Sequence, residues 1–213
     1  MFNLLLIILL GYLVGSFPTS IVVGKLIFHK DPREHGSGNA GGTNTWRVFG
    51  WKAGLFVMLF DVGKGVVATL FVSRLPAPAS VPYEIIELIA GSAAVMGHIW
   101  TIFAKFKGGK GVGTAAGMLI ALYPVAIIIC IGIFLIMIVL TGYVSLGSLT
   151  AALVLPFVLW IMDSTGWHSI PPVLFYFSIP IVLLIYYTHR SNIKRLLQGN
   201  ENRFDKVRIF AKK

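Results

Sequence analysis

The chain is short of charge, and shorter still of acid. Only 12% of its 213 residues are Asp, Glu, Lys or Arg, and only 8 of those are acidic. A soluble domain carries about twice that charged fraction, which argues against a soluble globular protein. The few carboxylates are scattered, so a two-metal phosphotransfer mechanism lacks ligands and no metal site is expected. The single cysteine, Cys130, lies in an apolar run, which rules out an intramolecular disulfide and a cysteine-ligated zinc. No Gly-x-x-x-x-Gly-Lys-Ser/Thr loop occurs, which disfavours nucleotide hydrolysis. A His-x-x-x-x-Asp dyad is missing as well: Phe103 stands five residues after His98, and Lys194 five after His189.

What the chain has is apolar length. Hydrophobic residues make up 56% of it, at a mean hydropathy of +0.83. Membrane helices need about 17–25 apolar residues, and such runs cover 2–28, 53–72, 83–103, 112–140, 146–162 and 171–188. The start, 1–10, has no positive region, and its apolar run continues past any small-residue cleavage point. It is expected to be a retained first span rather than a signal peptide. The run 112–140 is too long for one span: as one helix it would be roughly 43 Å against about 30 Å of hydrocarbon. Pro124 lies within it, where a helix ladder loses a donor.

Charge decides how that run is divided. The net charge of +10 sits in short loops and at the C-terminal end, the pattern of cytoplasmic membrane segments rather than of a nucleic-acid binder. Segments 25–52, 105–110 and 190–213 hold five, three and eight of the 18 Lys and Arg residues. If all three are cytoplasmic, an even number of crossings must separate Lys110 from Arg190. Breaking the long run at Tyr123-Pro124 provides it. The expectation is an all-α polytopic bundle of seven spans, with a short fourth of about 11 residues. Its N-terminus is external and its C-terminus cytoplasmic. One membrane domain would cover 1–203, followed by a short basic tail, 204–213, to which no function is assigned.

Two polar islands interrupt the oily sequence. The first reads Gly36-Ser37-Gly38-Asn39-Ala40-Gly41-Gly42-Thr43-Asn44, with Arg47 just beyond. The second reads Lys107-Gly108-Gly109-Lys110-Gly111-Val112-Gly113-Thr114. Glycines let backbone N–H groups approach an anion, lysine and arginine bring charge, and short polar side chains add hydrogen bonds. The first island is either a flexible loop or an anion nest in which Arg47 holds a phosphate by two parallel hydrogen bonds. The lysines of the second serve either topology alone or a phosphate at a helix N-terminus. His189 and Asn192, spaced i and i+3 near the end of the last span, are expected on one helical face. The histidine there is either interfacial or a general acid/base, or a donor to a developing oxyanion. Tyr143 and Ser145 lie in a turn between spans, where a capping role competes with a site role. Asp61 and Lys64 inside the second span are read as a structural ion pair that helps position the islands, and His98 as packed near the inner end of the third.

Taken together, Gly36-Ser37-Gly38-Asn39 through Thr43-Asn44, Gly97-His98 with Lys107-Gly108-Gly109-Lys110-Gly111, Tyr143-Val144-Ser145-Leu146, and His189-Arg190-Ser191-Asn192 with Arg195-Leu196 resemble the bacterial acyl-phosphate:glycerol-3-phosphate acyltransferase (PlsY) family. The resemblance covers nearly the whole chain. It implies acyl transfer from acyl phosphate to the 1-hydroxyl of glycerol 3-phosphate, giving lysophosphatidic acid and inorganic phosphate, the first step of phospholipid synthesis. It also implies no metal or other cofactor, a place in the bacterial cytoplasmic (inner) membrane, and a functional link to the enzyme that makes acyl phosphate. By motif it places Lys110, His189, Asn192 and Ser145 in the catalytic set. Ser37, Asn39, Thr43, Asn44, Arg47, Lys107, Gly108, Gly109, Gly111 and Thr114 become substrate-binding, the first island taking the acceptor and the second the donor. The rival class is a small-anion transporter, which should carry ionisable groups at midplane and open to both sides.

Overall fold

Proline positions and apolar run lengths set most of the helix ends. The computed structural model describes residues 2–204, and these form helices and turns, with no strand among the described residues. Of the tail assigned to 204–213, all but Phe204 lies outside the described residues. The chain divides into two compact units, one ending at Leu122 and the other starting at Tyr123.

The first unit holds α1 (Phe2–Ser16), α2 (Thr19–Ile27), α3 (Gly42–Phe49), α4 (Trp51–Leu70), α5 (Tyr83–Ile99) and α6 (Val112–Leu122). Within the expected single span over 2–28 the helix ladder is interrupted at Phe17-Pro18, while Asn3–Ile27 remains one membrane-length stretch. Pro18 lacks an N–H and pushes the residue before it out of the helical region. The carbonyls released by the break find partners in the same unit. That of Phe17 accepts from Lys64 Nζ at 2.9 Å, and that of Ser16 from the Thr101 hydroxyl. An irregular backbone at membrane depth survives on such terms.

Helix α4 packs against α1, α2, α3, α5 and α6, so everything near the islands is referred to it. Close approach comes from small residues, as in other membrane helix pairs. A Cβ on Gly65 of α4 would collide with the Thr114 carbonyl of α6, and one on Gly117 of α6 with the Val62 carbonyl of α4. A β-carbon at either place would force the helices apart.

The second unit holds α7 (Pro124–Thr141), α8 (Val144–Ser164), α9 (Pro172–Thr188) and α10 (Arg190–Leu197). Helix α7 packs on α8 and α8 on α9, while α10 touches both α8 and α9. The break between α6 and α7 falls at Tyr123, with Pro124 in the first turn of α7, where a missing N–H costs nothing. The last span, expected over 171–188, is α9, but the helix does not run straight on through Asn192: α9 and α10 are bent by 62°, with His189 at the bend. His189 and Asn192 therefore do not stand on one continuous helical face.

Among the described residues, five stretches are long and apolar enough to cross a membrane: Asn3–Ile27, Trp51–Arg74, Tyr83–Ala104, Pro124–Thr141 and Val144–Ser164. The bent pair α9 and α10 would make a sixth. Helix α6, at 11 residues, spans only about 16 Å. Outward side chains such as Leu59 (63% exposed), Ile128 (69%) and Leu183 (65%) suit a hydrocarbon surrounding, not water.

Candidate active site

The first island is an organised loop. Asp31 starts a 3-10 turn over Pro32–Glu34 by accepting the Arg33 amide at 3.0 Å, and it takes the same guanidinium through Nε at 3.0 Å and Nη2 at 2.8 Å. The Arg33 hydrogen bond holds the Asp31 carboxyl down to about 2, against the opposing pull of burial. Gly36 then turns the chain at φ +62°, a region L side chains avoid. Asn44 fastens the turn. Its Oδ1 accepts the Ser37 amide at 2.8 Å, and its Nδ2 donates to the Pro32 and His35 carbonyls at 2.7 and 3.1 Å. Asn44 is 1% exposed. Expected on the substrate, it is instead engaged with the loop backbone through both of its donor protons.

Helix α3 begins as this loop ends, with Gly41 at its N-cap. Thr43 and Arg47, four residues apart on α3, share a face, and both are half-buried. Ser37 and Asn39 are half-buried too, and the Ser37 hydroxyl has no hydrogen-bond partner among the described residues.

The second island contradicts a simple nest. The Gly108 amide donates to the Ile99 carbonyl and the Gly109 amide to the His98 carbonyl, both at 3.0 Å. These two N–H groups are taken by the end of α5 and cannot also cradle an anion. The backbone donors move along the chain instead. Gly111, at φ +85°, starts α6, and its carbonyl accepts the Ala115 amide at 2.7 Å. The first amides of α6, from Val112, Gly113 and Thr114, have no place in the helix ladder and carry the positive end of its dipole. Lys110 is half-buried beside them and Lys107 is exposed. The Thr114 hydroxyl oxygen is fully buried, with no hydrogen-bond partner among the described residues. The two islands meet at Gly109, where a Cβ would lie 3.1 Å from the Ala40 carbonyl oxygen.

A buried charge cluster forms the floor of the second island. Lys64 Nζ lies 2.7 Å from Asp61 Oδ1, and Thr19 Oγ1 donates to the same oxygen at 3.2 Å. The expected ion pair is present, and His98 joins it with Nδ1 3.2 Å from Lys64 Nζ. Gly109 lies against the His98 ring, and a Cβ on Gly113 would stand 3.3 Å from Asp61 Cβ.

In the second unit, Glu201 gathers the polar residues. Its Oε1 accepts from Ser145 Oγ at 2.9 Å and Asn192 Nδ2 at 2.7 Å, and its Oε2 from Arg195 Nε at 2.7 Å. Burial pushes the carboxyl upward, but the bonds from Asn192, Arg195 and Ser145 outweigh it, so it titrates below the usual carboxylate range. Arg203 stacks over the Tyr143 ring at 4.6 Å, and the Phe204 amide donates to Gly142 at 2.8 Å, returning the chain to the α7–α8 turn. His189 is 2% exposed, with Nδ1 2.8 Å from the Ile185 carbonyl. A carbonyl only accepts, so the neutral ring carries its proton on Nδ1 and its lone pair on Nε2. Sequence reasoning missed Glu201 altogether. The only signal was an acid placed among basic residues, six positions after Arg195.

Fold and loops together define a multi-pass helical membrane protein with two glycine-rich polar loops close to buried charge. The model of the family described as glycerol-3-phosphate acyltransferase matches residues 5–199. A glycerol-3-phosphate acyltransferase of Chlorobaculum tepidum is 46% identical over 95% of this chain and 97% of its own. That of Chlorobaculum parvum is 47% identical over the same shares. Among solved structures, PlsY (YgiH), an integral membrane glycerol 3-phosphate acyltransferase in its glycerol 3-phosphate form, superposes with a TM-score of 0.83 at 35% identity, covering 94% of this chain and 95% of that one. Its lysophosphatidic acid form gives 0.80 at 34% identity over the same shares. The chain belongs to the PlsY family of integral membrane glycerol-3-phosphate acyltransferases.

Proposed function

We propose that this acyltransferase takes its acyl group from a fatty acyl phosphate and places it on the 1-hydroxyl of glycerol 3-phosphate. The hydroxyl oxygen bonds to the acyl carbon, and the bond from that carbon to the phosphate oxygen breaks. Phosphate leaves with the electron pair, and the hydroxyl proton goes to His189 Nε2 or to a substrate phosphate oxygen. The products are lysophosphatidic acid and inorganic phosphate. Acyl phosphate already carries a good leaving group, so charge stabilisation and positioning can supply most of the catalysis.

The observation that carries this reading is the meeting of two separate anion loops at Gly109 and Ala40. Two anionic substrates repel each other, and an electropositive pair of loops is needed to bring them together. Arg47, Thr43, Ser37 and Asn39 would hold glycerol 3-phosphate. Lys110, Lys107 and the first amides of α6 would hold the acyl phosphate and the departing oxygen. Asn192 and His189 would orient the attacking hydroxyl and the developing oxyanion, with Ser145 tied to Asn192 through Glu201. The glycerol 3-phosphate and lysophosphatidic acid forms of the solved relative support the acceptor and the product. The Asp61–Lys64 pair, satisfied by each other and by Phe17, Thr19 and His98, argues against transport, since neither charge stands ready for a passing ion.

The same reading takes 1–203 as one acyltransferase domain crossing the bacterial cytoplasmic membrane seven times, with α6 as the short crossing. The clustering of Lys and Arg in 25–52, 105–110 and 190–213 supports a cytoplasmic C-terminus and site and an external N-terminus. That side is where an enzyme making acyl phosphate would deliver it. The test is purified protein given labelled glycerol 3-phosphate with either acyl phosphate or acyl-CoA. Product from acyl phosphate alone supports the assignment, equal use of both donors overturns the donor, and product from neither overturns the activity.

A further inference from the structure

Helix α10 has two unlike faces. With α9 as the last span, the 62° bend after it turns α10 toward the membrane plane. The inner face carries Asn192, which is 3% exposed and donates to Glu201 Oε1 at 2.7 Å. Arg195 is tied to the other oxygen of that carboxylate at 2.7 Å. Arg190, Lys194 and Leu197 stand at i, i+4 and i+7, so they form one stripe on the opposite side, and all three are exposed.

The stripe joins bare apolar surface to bare charge. Leu197 is 84% exposed, more than any other large apolar side chain among the described residues. The Lys194 ammonium has no hydrogen bond or ion pair among the described residues. The Arg190 guanidinium lies 4.5 Å over the Tyr187 ring and donates to the Tyr187 carbonyl at 3.1 Å, which holds this cation at the end of α9. An exposed leucine beside cations suits the headgroup layer of a bilayer. The leucine enters the acyl boundary, and the long cationic side chains reach phosphate oxygens. The rest of the chain makes a poor cover for the stripe: 205–213 holds four Lys or Arg against one acid and would be repelled.

We propose that the outer face of α10 docks on anionic phospholipid headgroups of the surrounding bilayer, and that this contact steadies His189 and Asn192. The link is short, because His189 is the cap residue from which α10 starts and Asn192 stands on its inner face. Lipid held on one side of the helix fixes where the other side stands. Anionic lipid thereby raises turnover without entering the site. The effect on turnover rests on the roles given above to His189 and Asn192, whereas the docking itself does not.

Purified protein in nanodiscs of phosphatidylcholine with a rising share of phosphatidylglycerol tests it. An environment-sensitive fluorophore on Leu197→Cys, in a Cys130→Ala background, reports immersion of the stripe without turnover. The expected result is a blue shift that grows with phosphatidylglycerol, and a kcat of the unlabelled enzyme that rises in parallel. Each cation near an anionic surface contributes roughly fivefold in affinity. Arg190→Gln combined with Lys194→Gln should therefore need far more phosphatidylglycerol for both responses, while its kcat in phosphatidylcholine alone matches the wild type. A fluorophore in water at every composition overturns the docking, and one equally immersed in pure phosphatidylcholine overturns the selection for charge. A blue shift with unchanged kcat overturns the link to His189 and Asn192. The same shift produced by soluble polyglutamate over phosphatidylcholine nanodiscs overturns the lipid in favour of an acidic protein. Should the enzyme be inactive with either donor, the fluorescence still decides the docking. Should the double variant not fold, Lys194→Gln alone decides, because its ammonium holds no polar contact within the described fold.

Discussion

Asn44 accepts the Ser37 amide through Oδ1 at 2.8 Å, and so one buried side chain sets the height of the serine in the first island. With both Asn44 protons on the Pro32 and His35 carbonyls, Asn44→Ala leaves three backbone groups without their partner, the Pro32 carbonyl buried and the Ser37 amide and His35 carbonyl part-buried. An unsatisfied buried group costs about 1–3 kcal/mol. The thermal midpoint of Asn44→Ala should fall clearly below the wild type. The surviving activity should show a raised KM for glycerol 3-phosphate, since Ser37 is no longer held. A variant with wild-type midpoint and KM would refute this role for Asn44.

The Asp61–Lys64 pair is nearly sealed, with side-chain exposures of 6% and 4%. Removing one partner strands a buried charge, at about 3–5 kcal/mol, whereas replacing both removes the need for pairing. Lys64→Met should therefore express poorly or melt early, and Asp61→Asn combined with Lys64→Met should recover part of the loss. Stability of the three variants in one detergent checks it. A double variant worse than the sum of the singles would show that the pair is not acting as a unit.

Glu201 makes stability depend on pH in a defined direction. Its folded-state pKa lies below the unfolded value, so its contribution is complete above the unfolded carboxyl range, about 4.3, and is lost as pH falls through the folded value. Thermal midpoints of wild type and Glu201→Gln should differ by a constant amount from about pH 8 down to about pH 5.5 and converge in more acid solution. A gap that widens as pH falls would reverse the sign and refute the assignment.

Much of the helix plan was legible because hydropathy and proline act locally. Charge parity required a break at Tyr123-Pro124, and α6 and α7 divide there. Pro18 stands in the sequence too, but run length alone does not show that the helix ladder is interrupted there and resumes at Thr19. The Asp61–Lys64 pairing followed from i,i+3 spacing on one helix, whereas the third member, His98, comes from a distant part of the chain. The glycines of the second island misled for the same reason. Composition marks Gly108 and Gly109 as free donors, yet the returning chain gives both amides to the end of α5. Glu201 was illegible because a single acid in a polar segment acquires meaning only through Ser145, Asn192 and Arg195.

The central claim is that the two islands are separate phosphate subsites serving one transfer, and parallel kinetics of Arg47→Ala and Lys110→Ala test it most directly. Each loses a charge-assisted contact to one substrate, which amounts to about 10- to 100-fold in affinity. Arg47→Ala should raise KM for glycerol 3-phosphate by that factor while leaving KM for acyl phosphate nearly unchanged, and Lys110→Ala should do the reverse. Both variants raising the same KM, or each raising both alike, would contradict the account.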